Sequence, residues 1–130
     1  MGSKSPLILI VDDERSFRLV LRTRLRVCGY RTVTAVDGEE AWSVARDLRP
    51  DVILLDLAMP DVDGIEFLQR LRNTPALRDT PVIVITALYP GPITQEAERL
   101  GARHVLLKTN FGLDELAAHV AALLPAAKAA

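Results

Sequence analysis

The sequence predicts an α/β fold with a doubly wound, five-stranded parallel sheet and five helices. Short apolar runs rich in valine and isoleucine alternate with segments of helical period along the 130 residues. Strict alternation of strand and helix is typical of a parallel sheet with helices on both faces. Because parallel crossovers are right-handed, few strand orders remain, and five strands suit the flavodoxin-like order 2-1-3-4-5.

The predicted strands are short and almost continuously apolar. Runs of this length with many β-branched side chains favour strands over helices. Their continuous apolarity indicates burial on both faces of the sheet. The strands occupy residues 7–11, 32–36, 52–55, 82–85 and 105–107.

Five helices are predicted between these strands and after the last one, because apolar residues recur there three or four positions apart. Gly29, Pro50 and Gly101 mark the ends of the first, second and fourth helices. The prolines of residues 89–92 should delay the start of the fourth helix. The predicted apolar faces consist of Phe17, Val20, Leu21, Leu25 and Cys28; of Ala41, Val44, Ala45 and Leu48; of Ile65, Leu68 and Leu71; of Ala97 and Leu100; and of Leu113, Leu116, Ala117, Val120 and Leu124.

Length and composition indicate one ordinary globular domain, with 49% hydrophobic and 25% charged residues. We expect residues 7–124 to form it, with residues 1–6 as a disordered or vector-derived N-terminus and residues 125–130 as a short tail. A net charge of −1 gives no reason to propose binding to nucleic acid or to a membrane. The single Cys28 excludes an internal disulfide. With no signal-peptide pattern and no apolar stretch of about 20 residues, a cytoplasmic protein is expected.

Carboxylates follow two of the predicted strands. In the predicted strand order, a crevice opens where the first and third strands end, and ligands of such folds bind there. Asp12, Asp13 and Glu14 follow the first strand, and Asp56 follows the third. Clustered carboxylates repel one another, and a hard divalent cation relieves that repulsion, so the pattern predicts a Mg²⁺ site. The alternative is that Asp13 only caps a helix while Asp12 faces solvent.

A hydroxyl and an ammonium group should reach the same crevice. Thr86 closes the fourth strand and Lys108 closes the fifth. Because all strands are parallel, both residues emerge at the edge that carries the acids. An acidic cluster, a hydroxyl and an ammonium together suit a phosphoryl group, whose oxygens need neutralisation and a hydrogen-bond donor.

Four motifs in one register carry a family resemblance. They are "LIVDDE", "VILLDLAMPDVDG", "VIVITA" and "GARHVLLK". The sequence resembles a response-regulator receiver domain of two-component signalling, in the CheY-like superfamily, over residues 7–124. The resemblance implies a phospho-acceptor at Asp56, a switch hydroxyl at Thr86 and a phosphate-binding ammonium at Lys108. It further implies that Mg²⁺ is held by Asp12, Asp13, Asp56 and the backbone carbonyl of Ala58.

The resemblance implies a phosphorylation-dependent switch rather than an enzyme with a separate substrate. Such a domain catalyses only its own phosphorylation and dephosphorylation. Its phosphoryl donor would be a sensor histidine kinase or a phosphotransfer protein. Output would pass to an effector or a homodimer through the fourth helix, fifth strand and fifth helix, where Ala118, Ala122 and Leu123 lie off the predicted core face. No contact of this domain with nucleic acid or membrane is expected.

The sequence departs from the family pattern after and before Lys108. Thr109 stands where the family has a proline that follows a cis bond, so a trans bond is predicted. Val105 stands where many receivers carry an aromatic ring that swings inward. Ala58 and Leu88 occupy the positions that tune phosphoryl lifetime, and neither side chain can orient water by hydrogen bonding.

Two other functions stay open at this point. A Mg²⁺-dependent phosphatase of the haloacid-dehalogenase type would place a DxD motif after the first strand, which Asp12-Asp13-Glu14 does not match. A receiver-like module that binds partners without phosphorylation is kept open by Thr109 and Val105. Against it stands the complete set of Asp12, Asp13, Asp56, Thr86 and Lys108.

Some polar residues are predicted to lie outside the chemistry. His104 and His119 lack metal-ligand spacing, and Cys28 should be a buried thiol. Gly64 should supply a backbone conformation that other residues resist, and Asp61 and Asp63 should serve solvation and helix capping.

Overall fold

Five strands form one parallel sheet in the computed structural model, which describes residues 5–59 and 64–124. The observed order β2-β1-β3-β4-β5 confirms the predicted order. The part of the chain described contains no helix long and apolar enough to cross a membrane. The strands are β1 (Leu7–Val11), β2 (Arg31–Ala35), β3 (Val52–Leu55), β4 (Val82–Thr86) and β5 (His104–Leu107).

Each strand is followed by a helix, as the alternating pattern predicts. The α4 helix begins only at Pro92, so its predicted late start is confirmed. Gly29 and Gly101 adopt the left-handed conformation, with φ of +92° and +90°, where the first and fourth helices have ended. The helices are α1 (Arg15–Val27), α2 (Gly38–Leu48), α3 (Gly64–Arg72), α4 (Pro92–Arg99) and α5 (Leu113–Leu123).

The bounds of β2 follow its neighbour rather than its own apolar run. Parallel pairing matches Leu7 with Arg31 and Val11 with Ala35. The strand therefore begins and ends one residue earlier than predicted, because the ladder to the neighbouring strand β1 sets its length.

Two hydrophobic clusters lie on opposite faces of the sheet. Alternate residues of β1 divide between them: Leu9 and Val11 belong to one cluster, and Ile8 and Ile10 to the other. The α2, α3 and α4 helices cover the first face, whereas α1 and α5 cover the second. This two-sided burial leaves the ends of the strands as the place for polar side chains.

The predicted apolar face of α1 is partly wrong. Leu21 and Leu25 are buried, but Val20 is 47% exposed and Cys28 is exposed. Cys28 follows the last helical residue, where the chain turns toward Gly29, and its Sγ accepts a hydrogen bond from Arg24 Nη1 at 3.2 Å.

The predicted burial of two other leucines, each the last residue of its helix, is wrong. Leu48, the last residue of α2, is 52% exposed although it was placed on the apolar face. Leu123, the last residue of α5, was placed off the core but packs against the second cluster. Periodicity is least informative at helix ends, because the final turn is free to unwind from its face.

Arg72, at the end of α3, ties three segments together. Its Nε donates to the carbonyl of Leu100 at 2.7 Å, directly beyond α4. Its Nη1 donates to the carbonyls of Arg78 and Thr80 at 3.0 and 2.8 Å. The guanidinium thus fixes the C-terminal end of α4 against the loop that leads into β4.

The two histidines form a stacked pair that sequence reasoning missed. The rings of His104 in β5 and His119 in α5 lie 3.9 Å apart at an interplanar angle of 28°. Burial lowers the pKa of His104, and the neighbouring His119 and Arg103 lower it further. Among the described residues, the two histidines do not form a group of three possible metal ligands with any acid, histidine or cysteine. No metal site is therefore assigned to the pair.

This pair predicts a loss of stability in acid. A pKa below the ordinary 6.5 means that the folded protein holds the His104 proton less tightly than the unfolded chain does. The contribution of neutral His104 to the free energy of unfolding is therefore fully present above about pH 6.5 and is lost as the pH falls through the lowered pKa. We expect the thermal midpoint to drop more between about pH 7.5 and about pH 5.5 in wild type than in His104→Gln. Parallel pH profiles for the two proteins would contradict this expectation.

Candidate functional site

The last bonds of the sheet place two aspartates side by side. The backbone N–H of Asp12, directly after β1, donates to the carbonyl of Ala35 at 3.1 Å. The backbone N–H of Asp56, directly after β3, donates to the carbonyl of Val11 at 3.0 Å. Because β1 and β3 are neighbours, both carboxylates emerge at the same edge of the sheet. The ladder itself fixes their positions.

Three aspartates form one acidic cluster. Carboxylate oxygens of Asp12, Asp13 and Asp56 lie within 4.8 Å of one another. Asp12 is 2% exposed and Asp56 5% exposed, whereas Asp13 is open to solvent. Two buried carboxylates and one exposed carboxylate at this spacing are a donor set suited to a hard divalent cation. Ala58 lies beside them and donates its backbone N–H to Asp56 Oδ1 at 3.2 Å.

Lys108 reaches into this cluster from the end of β5. Its Nζ lies 2.8 Å from Asp12 Oδ2 and 3.4 Å from Asp56 Oδ2, and it forms a third ion pair with Glu14 Oε1. The Lys108 side chain is only 11% exposed. The backbone N–H of Lys108 donates to the carbonyl of Thr86 at 2.9 Å, which anchors the residue to β4.

Burial and charge act on these groups in opposite senses. Burial raises the pKa of Asp12, the Lys108 hydrogen bond and the Glu14 N–H lower it, and the charge of Asp56 raises it again. Burial alone would lower the pKa of Lys108, but hydrogen bonds to Asp12 and Glu14 and the charge of Asp56 raise it overall. The ammonium therefore stays charged. Lys108 pairs with three carboxylates, and Asp13 adds a fourth to the cluster, so these groups together carry an excess of negative charge that a divalent cation could neutralise.

Thr86 lies at the same edge of the sheet, but its hydroxyl is hydrogen-bonded to the loop that follows it. It is fully buried at the end of β4. Its hydroxyl accepts a hydrogen bond from the backbone N–H of Leu88 at 3.3 Å. The Thr86 side chain thus links the strand end to the exposed loop before α4.

Two of the departures from the family pattern predicted near Lys108 are seen in the structure. Val105 lies half-buried against the first hydrophobic cluster, where it offers no ring to move. Among the described residues, the cis peptide bond is the one before Pro90, so the Lys108–Thr109 bond is trans as predicted.

Gly64 is required for a reason other than the predicted one. A Cβ at this position would lie 2.6 Å from Leu57 Cα and 2.7 Å from the carbonyl oxygen of Asp56. Its backbone N–H donates to the carbonyl of Leu57 at 3.1 Å. The glycine therefore permits close approach of α3 to the Asp56 backbone, rather than an unusual dihedral angle. Asp61 and Asp63 lie outside the described residues.

Sequence reasoning also missed two neighbours of Lys108. Besides the carboxylate of Glu14, the ring of Phe17 lies beneath the ammonium, with Nζ 4.6 Å from its centroid. Phe17 in turn makes a T-shaped contact with Phe111 at a centroid distance of 5.9 Å. The only signal was spacing: Glu14 and Phe17 are three residues apart at the start of a helix that begins beside the acids.

Comparison with known proteins points to one family. The family model for the response regulator receiver domain matches residues 8–121. The chain is 42% identical over 117 residues to the probable transcriptional regulator ycf27 of Guillardia theta. It is 40% identical over 121 residues to the DNA-binding dual master transcriptional regulator RpaA of Synechocystis sp.. These matches cover 90% and 92% of the chain but 44% and 49% of the relatives, so the chain spans about half their length.

Solved structures agree with the sequence relatives. The chemotaxis protein CheY4 of Vibrio cholerae is similar with a TM-score of 0.84 at 32% identity, over 92% of this chain and 99% of that one. The receiver domain of the Francisella response regulator 1452 is similar with a TM-score of 0.83 at 34% identity, over 92% and 96% of the two chains. With the sheet order, the family match and these relatives in agreement, the chain belongs to the response regulator receiver domain family.

Proposed function

We propose that this domain is a phosphorylation switch in which Asp56 accepts a phosphoryl group. The observation that supports this most directly is the placement of Asp56 on a rigid strand end, nearly buried, with the Lys108 ammonium 3.4 Å from its Oδ2. A carboxylate can act as a nucleophile and form an acyl phosphate. The neighbouring ammonium can stabilise the charge that develops on the transferred oxygens.

The proposed transfer uses a phosphorylated histidine of a sensor kinase or phosphotransfer protein as donor. A carboxylate oxygen of Asp56 attacks the phosphorus, the bond from phosphorus to the donor imidazole nitrogen breaks, and the imidazole leaves with its electron pair. Lys108 pairs with phosphoryl oxygens, and the Thr86 hydroxyl leaves Leu88 to donate to one of them. The domain is in this sense the catalyst of its own modification only.

The proposed cofactor is Mg²⁺, held by Asp12, Asp13, Asp56 and the backbone carbonyl of Ala58. The compact set of three aspartates supports this assignment. When bound, the cation would neutralise charge on both the acceptor carboxylate and the incoming phosphoryl oxygens. The chain's own contribution is to present these oxygens from two neighbouring strand ends.

Incubation with acetyl phosphate and Mg²⁺ tests the proposal. We expect one added phosphoryl group, about 80 Da by intact-mass spectrometry. Chelation of the metal with EDTA should prevent the addition, because the acceptor site would keep its excess negative charge. Phosphorylation that proceeds equally in EDTA would contradict the metal assignment. A protein that stays unmodified with Mg²⁺ would instead favour a module that binds partners without phosphorylation.

We infer that output passes through the face formed by α4, β5 and α5. The exposed Leu88 and Tyr89, each 41% exposed, lead from Thr86 into α4. Ala118 and Ala122 are exposed on α5 and present uncharged methyl groups on this face. The named relatives are transcriptional regulators about twice as long as this chain, so the receiver's partner is proposed to be an effector segment or a second copy.

A beryllium fluoride phosphate mimic tests this output face. We expect a change in sedimentation coefficient together with altered amide-hydrogen exchange across residues 88–124. The physical reason is that Thr86, once drawn toward the phosphoryl group, releases the N–H of Leu88 and moves the loop before α4. Unchanged association with unchanged exchange in those residues would assign output to another surface.

A further inference from the structure

Glu14 contacts Lys108 but stands apart from the acidic cluster. Its carboxylate pairs with Lys108 Nζ, and its side chain is 59% exposed. The carboxylates of Asp12, Asp13 and Asp56 lie within ligand distance of one another, and Glu14 is not part of that group. Glu14 is therefore a partner for the ammonium that cation binding would leave in place.

The backbone of Glu14 is anchored by hydrogen bonds, whereas its side chain is largely exposed. Its N–H donates to Asp12 Oδ1 at 2.8 Å, and its carbonyl accepts from the N–H of Arg18 at 3.1 Å in the first turn of α1. From this anchored point the carboxylate reaches Lys108 Nζ. Such a group can hold or release a neighbour without disturbing the fold.

An aromatic contact completes the position of the ammonium. Phe17 lies under Lys108 Nζ at 4.6 Å, a distance at which the ring face attracts a cation. The edge contact with Phe111 holds the Phe17 ring in place. Glu14 and Phe17 both belong to the start of α1, so one short segment draws Lys108 away from Asp56, whose Oδ2 is the most distant of its three carboxylate partners.

We propose that Glu14 is a positioning residue that retains Lys108 in the unphosphorylated state and competes with the phosphoryl group for it. This inference rests on the proposed acceptor role of Asp56. When a phosphoryl group on Asp56 draws the ammonium inward, the pair with Glu14 must break. Glu14 therefore favours the unphosphorylated state of the domain. The interaction of the phosphoryl group with Lys108 must exceed that of Glu14 with Lys108.

Binding of beryllium fluoride at saturating Mg²⁺ measures this bias. Glu14→Gln removes the charge and keeps the shape, so we expect its dissociation constant to fall about twofold to fivefold, the range of an exposed ion pair. Asp47→Asn is the matched control. It likewise removes one negative charge from an exposed ion pair, here with Arg46 on α2, outside the α4–β5–α5 face. The control should match wild type.

A direct view of the ammonium separates positioning from a general charge effect. The sequence has three lysines, and Lys4 and Lys128 lie near the chain ends, so ¹³C-lysine labelling gives few signals to assign. Lys108→Arg identifies the Lys108 ε-methylene signal by its loss. In Glu14→Gln without beryllium fluoride, that signal should shift away from its wild-type position, and in Asp47→Asn it should not.

The outcomes distinguish this inference from the proposed function. If wild type binds no beryllium fluoride with Mg²⁺, the acceptor role itself fails. If wild type binds but Glu14→Gln binds equally or more weakly, the acceptor role stands and the positioning role of Glu14 is overturned. An unshifted Lys108 signal in Glu14→Gln overturns it as well.

Discussion

Replacement of Asp56 with asparagine is expected to abolish phosphoryl incorporation from acetyl phosphate. The amide has nearly the same shape, and its oxygen can still accept the N–H of Ala58. It lacks the anionic oxygen that attacks phosphorus, so no acyl phosphate forms. Intact-mass spectrometry of the variant with Mg²⁺ should show the unmodified mass alone.

The matched control for this variant is Asp47→Asn, which makes the same charge change on an exposed residue of α2. We expect Asp47→Asn to be modified like wild type. Asp56→Asn should also remain folded, because removing one carboxylate from the cluster relieves repulsion in a site with excess negative charge. Phosphoryl incorporation in folded Asp56→Asn would assign the acceptor to another residue.

Replacement of Gly64 with alanine is expected to destabilise the protein by about 3 kcal/mol, at the upper end of the overpacking range. The new methyl group would meet Leu57 Cα and the Asp56 carbonyl, which are backbone atoms of the segment after β3 and cannot rotate away. Either α3 retreats or the Asp56 segment shifts. Urea unfolding followed by circular dichroism should give the loss as a lower midpoint.

Gly29→Ala separates this clash from the general cost of losing a glycine. Gly29 has a positive φ of +92°, but a Cβ there meets nothing within 4 Å. Its substitution should cost about 1–2 kcal/mol through backbone strain alone. A Gly64→Ala variant no less stable than Gly29→Ala would show that the close approach of α3 relaxes easily.

The fold was predictable because two simple periodicities agree along the chain. Apolar runs end where acids, threonine and lysine begin, and the carboxyl edge of a parallel sheet is the one place where those residues can meet. The prediction that Asp12, Asp13, Asp56 and Lys108 converge follows from this rule. The structure brings all four together.

What escaped prediction depends on side-chain reach and on helix ends. Nothing in a linear pattern states that Glu14 and Phe17 bracket an ammonium from another strand, because that contact spans most of the chain. The exposure of Cys28 depends on where the last turn of α1 stops. The need for glycine at position 64 arises from the distance between two backbones, which composition does not encode.

The hydrogen bonds of Arg72 make the two ends of α4 mechanically unequal. The carbonyls of Leu100 and Gly101, just beyond the helix, are tied to the α3 guanidinium at 2.7 and 3.4 Å. The other end begins after an exposed loop, whose Leu88 N–H donates to the Thr86 hydroxyl at 3.3 Å. The α4 helix is about 12 Å long, with eight residues at 1.5 Å each, and Arg72 holds its C-terminal end. A movement of Thr86 would tilt the helix about that end rather than translate it, so the largest displacement would fall at Pro92 and the smallest at Leu100.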